Sequence, residues 1–264
     1  MKPGIDIDNT AFFILGTSKY DASCIPHVLT PPLMTVLHRA LPGAAAESNF
    51  WLKYSIVRDG ASFETLESKI VVSKNTMVAI ETLEGDVFGC FMAKPWKRTN
   101  RYERCGESFL WRMKHKRTEV ATDVVDDEDR LDEIAKREGD IDIFPWTGEN
   151  DECQLLGHDR MAAGGGYVAT DSGRDGFGFI IENNLSSGSS SPCQTYGNTC
   201  LVSSPDGRFE VANMEVWCMT HFLFAADALK SESTLRFVKE NTTSMSNLPG
   251  DAPSSAQSAW TNFL

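Results

Sequence analysis

The sequence predicts an α+β, mainly β protein, in which two antiparallel sheets form a β-sandwich with helices at its periphery. Two observations lead to this fold class. Short runs rich in aromatic and β-branched residues recur between turn signals, and the helix–strand alternation of a parallel sheet does not occur. The 264 residues are enough to bury a full core without disulfide or metal cross-links.

Two helices are predicted in the first part of the chain. Thr30 and Pro31 provide an N-cap and a first helical residue, and Pro42-Gly43 ends this helix. Ser62 is placed to cap the second helix, which runs from residue 63 to about residue 71. The apolar stripe of the first helix consists of Leu33, Val36, Leu37, Ala40 and Leu41.

Strands are predicted on both sides of the second helix and again in the second half of the chain. Gly89, inside one of them, indicates a bulge or a close backbone approach. Residues 186–193 are small and predict a loop. The strands are residues 50–56, 76–82, 86–92, 106–111, 177–181 and 209–219, the last being one bent strand or two short ones.

The predicted domain spans residues 28–230, between a weakly ordered segment 1–27 and a flexible tail 231–264. A closing helix over residues 222–229 is apolar on nearly all sides, which predicts that it packs in the core.

Residues 115–142 form a predicted acidic insertion. From Glu119 to Asp142 there are 11 acidic and three basic residues, and the difference of eight is most of the formal charge of −12. This composition is typical of a solvated, mobile loop with a short surface helix over 126–138, and an acidic docking arm is the alternative. The net charge argues against binding to nucleic acid or to anionic membranes.

The seven cysteines are widely spaced and contain no CxxC pair, which predicts reduced structural thiols rather than disulfides or a zinc site. No apolar run approaches the roughly 18 residues of a membrane span. The acidic N-terminal residues argue against a signal peptide. We therefore expect a cytoplasmic chain without a cofactor or a bound metal ion.

The stretch 144–166 combines an aromatic strand entry, a polar turn, an apolar run and three glycines, so it is either a structural polar knot or a site. Glu107, Glu149 and Asp151 are weak candidates for acid–base chemistry or for a site binding a hard metal ion. The favoured interpretation is that Glu149 and Asp151 tie turns to strands, which predicts that Glu149→Ala destabilises the fold.

The sequence contains neither a complete phosphate-binding loop nor a complete nucleophile elbow. Gly164, Gly165 and Gly166 are not followed by the Lys-Ser/Thr pair of a phosphate-binding loop. Ser189, Ser190 and Cys193, with His158 or His221 as the base, lack the GxSxG arrangement of a nucleophile elbow. The sequence assigns no catalytic residue, and a non-catalytic role is favoured over an enzyme.

An ordered set of short motifs from about residue 28 to residue 219 resembles the TLDc domain, the domain of the oxidation-resistance proteins. Each motif is weak alone, but their order is specific. The motif positions are Arg58, Asp59, Gly60, Gly89, Gly106, Glu107, Ser108, Gly148, Glu149, Asn150, Asp151, Gly164, Gly165, Gly166, Ser190, Ser191, Pro192, Gly197, Asn198 and Trp217.

The resemblance implies a two-sheet sandwich, a role in protection against oxidative stress, and binding to the peripheral sector of the vacuolar proton-pumping ATPase. It therefore implies a cytoplasmic protein that reaches vacuolar or lysosomal membranes through this partner, and a solitary TLDc protein without an accessory domain. The chain departs from the family pattern at Ala61, Ser187 and Gln194. The alternative function is an enzyme or peroxide scavenger that uses Glu107, Glu149 or a reactive cysteine.

Overall fold

The structure is a computed structural model that describes residues 12–17, 26–119, 128–166 and 176–246. No helix within these ranges is both long enough and apolar enough to cross a membrane. The strands are β1 (Ile14–Leu15), β2 (Asn49–Ser55), β3 (Thr76–Thr82), β4 (Val87–Met92), β5 (Ser108–Met113), β6 (Ile141–Pro145), β7 (Gln154–Leu156), β8 (Met161–Ala163), β9 (Phe179–Glu182), β10 (Ser187–Ser189) and β11 (Arg208–Thr220). The helices are α1 (Pro31–Ala40), α2 (Ile56–Asp59), α3 (Phe63–Ile70), α4 (Glu128–Gly139) and α5 (Ala225–Ser246), with 3-10 turns at Gly43–Glu47 and Asn183–Leu185.

The long strand β11 belongs to both sheets. One sheet has the order β1-β2-β11-β3-β4-β5-β6, and the other has the order β11-β10-β9-β8-β7. Every neighbouring pair is antiparallel except β1 and β2. The predicted mainly antiparallel sandwich is confirmed, and β11 is one strand with register shifts near Val211 and Val216.

Alternate residues of the first sheet enter two different cores. In β3, Val78 and Ile80 face the core between the sheets, whereas Met77 and Ala79 face a core that α1 covers. Because both faces are buried, β2, β3 and β4 are apolar along most of their length instead of alternating with polar residues.

The two predicted N-terminal helices are present, but their caps differ. In α3, the Thr65 backbone N–H donates to Ser62 Oγ (3.3 Å), as the sequence predicts. In α1, Pro31 occupies the first turn, but the Thr30 hydroxyl donates to Glu138 Oε2 (2.6 Å) instead of capping its own helix. Leu33 and Leu37 of the predicted stripe are fully buried.

Gly89 marks a close approach of two strands rather than a bulge. It lies opposite Ala79 in an uninterrupted β3–β4 register. A Cβ atom at this position would lie 1.9 Å from the Val78 carbonyl oxygen and 3.1 Å from the Trp111 ring. Only glycine fits there without moving the backbone.

The short surface helix predicted within the insertion 115–142 is present as α4, and most of the described residues of the insertion are exposed, but the segment is tied to the domain by buried polar contacts instead of forming a free loop. Arg117 is buried, and its guanidinium donates to Glu138 Oε1 (3.1 Å), Glu81 Oε2 (3.2 Å) and the Val28 carbonyl (3.0 Å). These bonds tie α4 to β3 and to the segment before α1. Residues 120–127, which include the first part of the predicted surface helix, lie outside the described residues.

Two further segments differ from prediction. Part of the small-residue loop forms β10, which joins the second sheet to β11. Residues 225–229 of the predicted closing helix and the first part of the predicted tail form one helix, α5, so residues 231–246 are helical. The predicted closing helix is not a core element, because Phe222, Leu223 and Phe224, which precede α5, and Leu229 within it are exposed. The proposed tail residues 247–264 and most of the N-terminal segment 1–27 lie outside the described residues.

Candidate functional site

The stretch 144–166 folds around the hydroxyl of Thr195, a residue of the facing loop. Thr195 is fully buried, and its Oγ1 accepts a hydrogen bond from the Gly165 N–H (3.0 Å). The same atom lies 2.8 Å from Asn150 Oδ1, 2.9 Å from the Gly165 carbonyl and 3.2 Å from the Glu152 carbonyl. One side chain thus joins the polar turn, the glycine run and the 190s loop into a polar knot.

The three glycines are part of this knot. Gly164 has a φ of +80°, and a Cβ atom there would lie 2.6 Å from Cys193 Sγ. Its carbonyl accepts a hydrogen bond from the Tyr102 hydroxyl (3.0 Å). Backbone conformation and close contact therefore account for glycine at this position.

The carboxylates that the sequence assigned to the knot lie on its outer side. Glu107, Glu149 and Asp151 are exposed, and we call these three residues the carboxylate surface. Asp151 pairs with Arg104 (3.2 Å), and both side chains are more than half exposed. The Glu149 carboxylate accepts no hydrogen bond from the described residues; only its backbone N–H bonds, to Thr147 Oγ1 (3.3 Å). The prediction that Glu149 and Asp151 tie turns to strands is therefore wrong.

Backbone and side-chain contacts fix the turn that carries Glu149 and Asp151 beside the segment that carries Glu107. The Trp146 N–H donates to the Ser108 carbonyl (3.0 Å), which places the 146–151 turn beside the start of β5. The Arg104 guanidinium lies 5.2 Å from the centre of the Trp146 ring while it pairs with Asp151. The Trp146 indole in turn donates to the Asn150 carbonyl (2.8 Å). The exposed carboxylates of Glu149 and Asp151 thus belong to a turn that hydrogen bonds hold in place.

The Arg58-Asp59-Gly60 turn is a second structural knot. Asp59 Oδ2 accepts hydrogen bonds from the Ser55 N–H (3.0 Å) and from Arg58 Nη2 (2.8 Å), and Arg58 Nη2 also donates to the Lys53 carbonyl (2.8 Å). Partial burial opposes ionisation of Asp59, but these hydrogen bonds outweigh it and lower the pKa of the carboxyl group. The turn thus holds the end of β2.

None of the proposed nucleophiles is paired with a histidine in the described part of the chain. The Ser190 hydroxyl donates to the Gly178 carbonyl (2.6 Å) and accepts from the Leu201 N–H (2.9 Å). Ser189 belongs to β10, and Cys193 Sγ donates to Asn198 Oδ1 (3.0 Å). His158 is exposed and accepts from Arg98 (3.2 Å), and His221 is exposed beyond the end of β11. These groups therefore do not form a catalytic triad.

Burial makes five of the described thiols less acidic than a free cysteine. It raises the pKa of the Cys105, Cys153 and Cys193 thiols, raises that of Cys90 well above its usual value, and raises that of Cys218 to about 12. A thiol of raised pKa carries little of the thiolate that reacts with peroxide. Cys200 is half-buried, and its Sγ donates to the Ser190 carbonyl (3.3 Å), whereas Cys24 lies outside the described residues.

A surface cleft of about 970 Å³ lies over the second sheet, beside the serine-rich strand β10. Ser187, one of the departures from the family pattern, lines this cleft and accepts a hydrogen bond from Asn183 Nδ2 (2.8 Å). The charged residues of the lining are Glu84, Glu182, Asp206, Arg208 and Glu210. Across the described ranges, no three His, Cys, Asp or Glu side chains converge as a metal site would require.

Two residues at the centre of buried hydrogen-bond networks, one in the site and one in the insertion, carry no local sequence signal. Thr195 lies in an ordinary polar loop, and only its contacts with segments 30 and 45 residues away mark it as central. Arg117 sits in a charged run that resembles a solvated face, although it is buried.

The fold and the site define a two-sheet β-sandwich whose polar loops form a hydrogen-bonded frame beneath an exposed carboxylate surface. The family model described as the TLDc domain matches residues 25–220, and this chain belongs to that family.

The relatives agree with this assignment. An oxidation resistance protein 1 of Podospora anserina is 28% identical over 212 residues, which cover 72% of this chain and 59% of the relative. An oxidation resistance protein 1 of Candida glabrata is 26% identical over 214 residues, covering 72% of this chain and 76% of the relative. The mouse nuclear receptor coactivator 7 is 26% identical over 182 residues, which cover 69% of this chain but 16% of that protein.

Proposed function

We propose that this chain is a non-catalytic binding module that protects cells against oxidative stress by binding and regulating the vacuolar proton-pumping ATPase. The names of the oxidation-resistance relatives support the stress role. The resemblance to the TLDc family supports the pump as the partner. Through that partner, the protein would act in the cytoplasm at vacuolar or lysosomal membranes.

The carboxylate surface is the observation that carries the binding proposal. Glu107, Glu149 and Asp151 occupy family-motif positions, yet their side chains are exposed and are not needed for the hydrogen bonds of the knot. Exposed charged residues on a rigid frame suit recognition of a partner, because little side-chain or loop order has to be created on binding. A complementary partner would present basic side chains to this surface.

A pull-down of the pump's isolated peripheral sector, followed by proton-pumping assays, tests the proposal. The triple variant Glu107→Ala, Glu149→Ala and Asp151→Ala should lose binding by about tenfold or more, since each lost charge contact is expected to weaken the complex. The matched control replaces the exposed Glu47, Glu64 and Glu84 by alanine, which changes the net charge equally. Absence of association at micromolar wild-type protein, or equal loss in both variants, would refute the proposal.

The alternative of a thiol-based scavenger now centres on Cys200 and Cys24. Cys200 is half-buried and lines the 970 Å³ cleft, whereas the five other described thiols are buried with raised pKa values. Peroxide consumption by wild type that disappears in Cys200→Ser or Cys24→Ser would favour this function. Unchanged turnover in the double variant would eliminate it.

A further inference from the structure

An exposed apolar patch lies where β1, β2 and the start of α5 meet. It consists of Phe13, Phe222, Leu223 and Phe224, which are 61%, 40%, 56% and 67% exposed. Phe13 is far in the chain from the three consecutive residues 222–224, and Asn49 hydrogen-bonds to the backbone of both Phe13 and Phe222. We call this set the phenylalanine patch.

Asn49 holds the two halves of the phenylalanine patch with both ends of its amide group. Its Oδ1 accepts from the Phe13 N–H (2.8 Å), and its Nδ2 donates to the Phe222 carbonyl (2.9 Å). Asn49 is 7% exposed and lies opposite Thr220, the last residue of β11. These two hydrogen bonds hold the backbone at Phe13 and Phe222 in place in the unbound protein.

A small core beneath the patch adds to this rigidity. Leu15 of β1, Trp51 of β2 and Cys218 of β11 pack against Ala228 in the first turn of α5. The phenylalanine side chains outside this core remain in solvent. An aromatic side chain buries about 200 Å² when covered, so the three partly exposed phenylalanines leave about 340 Å² of aromatic surface open. An apolar patch of this size marks an interaction site in many monomeric proteins.

The size of the patch favours a short peptide as its occupant. A stable dimer buries about 800 Å² on each partner, roughly twice what the patch offers. Two aromatic side chains and one leucine would cover it. Residues 260–264 of this chain contain Trp260, Phe263 and Leu264 and no charged side chain.

The geometry of α5 allows these residues to reach the patch. The helix has 22 residues, which corresponds to about 33 Å from Ala225 to Ser246. The 14 residues from 247 to 260 can span up to about 46 Å when extended. Because this segment is tethered to the patch, its effective concentration there can reach about 1 mM. It therefore has an advantage over a separate molecule in binding to the patch.

We propose that residues 260–264 fold back along α5 and bind the phenylalanine patch, with Trp260, Phe263 and Leu264 covering Phe13, Phe222, Leu223 and Phe224. The patch is thus an intramolecular docking site. This inference does not depend on the identity of the partner that the carboxylate surface binds.

Hydrogen–deuterium exchange of the full chain, read by mass spectrometry, tests the proposal. Amides of residues 260–264 should exchange at least about tenfold more slowly than those of residues 250–256, a factor that corresponds to ~1.4 kcal/mol. Phe224→Ser should abolish this protection. In the reciprocal experiment, Trp260→Ser with Phe263→Ser should increase the binding of an apolar dye to the patch.

Phe237→Ser is the matched control. Phe237 is 68% exposed and Phe224 is 67% exposed, but Phe237 lies about 18 Å along α5 from Ala225, at the far side from the patch. Protection of residues 260–264 should persist in this variant. Fast exchange of these residues in wild type, or equal loss of protection in both variants, overturns the proposal. The proposal is also overturned if the protection of residues 260–264 from exchange increases with protein concentration and sedimentation shows a dimer. The occupant of the patch would then be a second copy of the chain.

Discussion

At the scale of single residues, Thr195 and Glu149 show how burial separates structural from surface roles. The Thr195 hydroxyl is buried and bonds to the Gly165 N–H, whereas the Glu149 carboxylate is exposed. Both residues belong to the same knot of loops. Removing the Thr195 hydroxyl leaves the buried Gly165 N–H without a hydrogen-bond acceptor. Removing the Glu149 carboxylate leaves no described donor without an acceptor.

We therefore predict that Thr195→Val lowers the free energy of unfolding by about 1–3 kcal/mol, the cost of an unsatisfied buried donor. Glu149→Ala should change it by no more than about 0.5 kcal/mol, as exposed substitutions usually do. Urea unfolding monitored by tryptophan fluorescence measures both. Thr195→Ser retains the hydroxyl and should stay within about 1 kcal/mol of wild type. A larger loss in Glu149→Ala than in Thr195→Val would contradict this assignment and return Glu149 to a structural role.

The thiols provide a second prediction at this scale. Because burial raises the pKa of Cys218 to about 12, only about one molecule in 10⁴ or fewer carries its thiolate at pH 7.5. Iodoacetamide should therefore leave Cys90, Cys105, Cys153, Cys193 and Cys218 unmodified in the native protein, as read by peptide mass spectrometry. Their labelling should begin in urea, where the chain is exposed, and should increase as the pH is raised. Rapid labelling of any of these five in native protein at pH 7.5 would count against a purely structural role.

At the scale of elements, α5 contacts the sheet through a buried ion pair as well as through the apolar contacts of Ala228. Lys53 of β2 and Glu232 of α5 form a buried ion pair, and Glu232 also accepts from Arg236 Nη2 (2.8 Å). Burial lowers the pKa of Lys53, opposed by the hydrogen bond to Glu232. Leu229, Leu235, Phe237 and Val238 of the same helix are exposed. The apolar composition that predicted a core helix therefore does not describe how this helix is anchored.

We predict that Glu232→Leu destabilises the attachment of α5 by about 3–5 kcal/mol, because it leaves the buried Lys53 ammonium without its carboxylate. The double variant Lys53→Met, Glu232→Leu should recover most of this loss, since no unpaired charge remains. Amide exchange across residues 225–246 measures the attachment. Leu235→Ser, an exposed change on the same helix, serves as the control. If the double variant is as destabilised as the single one, the loss in Glu232→Leu does not come from leaving the Lys53 ammonium buried without a partner.

At the scale of the whole molecule, Arg117 connects parts of the chain that the sequence presents as separate. It joins the acidic insertion through Glu138, strand β3 through Glu81, and the segment before α1 through the Val28 carbonyl. The Gly85 carbonyl also accepts from the Arg117 N–H (2.7 Å). Burial raises the pKa of Glu138, and the nearby Arg117 charge opposes this effect. The insertion is thus part of the domain.

We predict that Arg117→Met lowers the free energy of unfolding by about 3–5 kcal/mol, because Glu138 is then buried without its main cation. Arg130→Met should cost less than about 1 kcal/mol, since the Arg130–Glu119 pair is exposed. Chemical denaturation of both variants gives the comparison. A similar small effect in both would show that the buried network does not stabilise the fold.

Deletion of residues 115–142 removes Arg117 and the start of β6, so it would test folding rather than partner binding.

Local chemistry was enough to predict much of the fold. The pattern of β3 and β4, the Ser62 cap of α3 and the close approach at Gly89 follow from side-chain type and spacing, which act over a few residues. The short strands β6, β7, β8 and β10 were not predicted as strands, because three to five residues carry little periodicity and form only against a neighbour.

The class of fold, the order of the main elements and the family can thus be predicted from the sequence, since they depend on local periodicity and on motifs in a fixed order. Which polar groups are buried, and with which partners, depends on contacts between distant parts of the chain. Thr30 bonds to Glu138, 108 residues away, and Lys53 bonds to Glu232, 179 residues away. Such pairs leave no local pattern, because the cost of burying a polar group depends on what the rest of the chain brings to it.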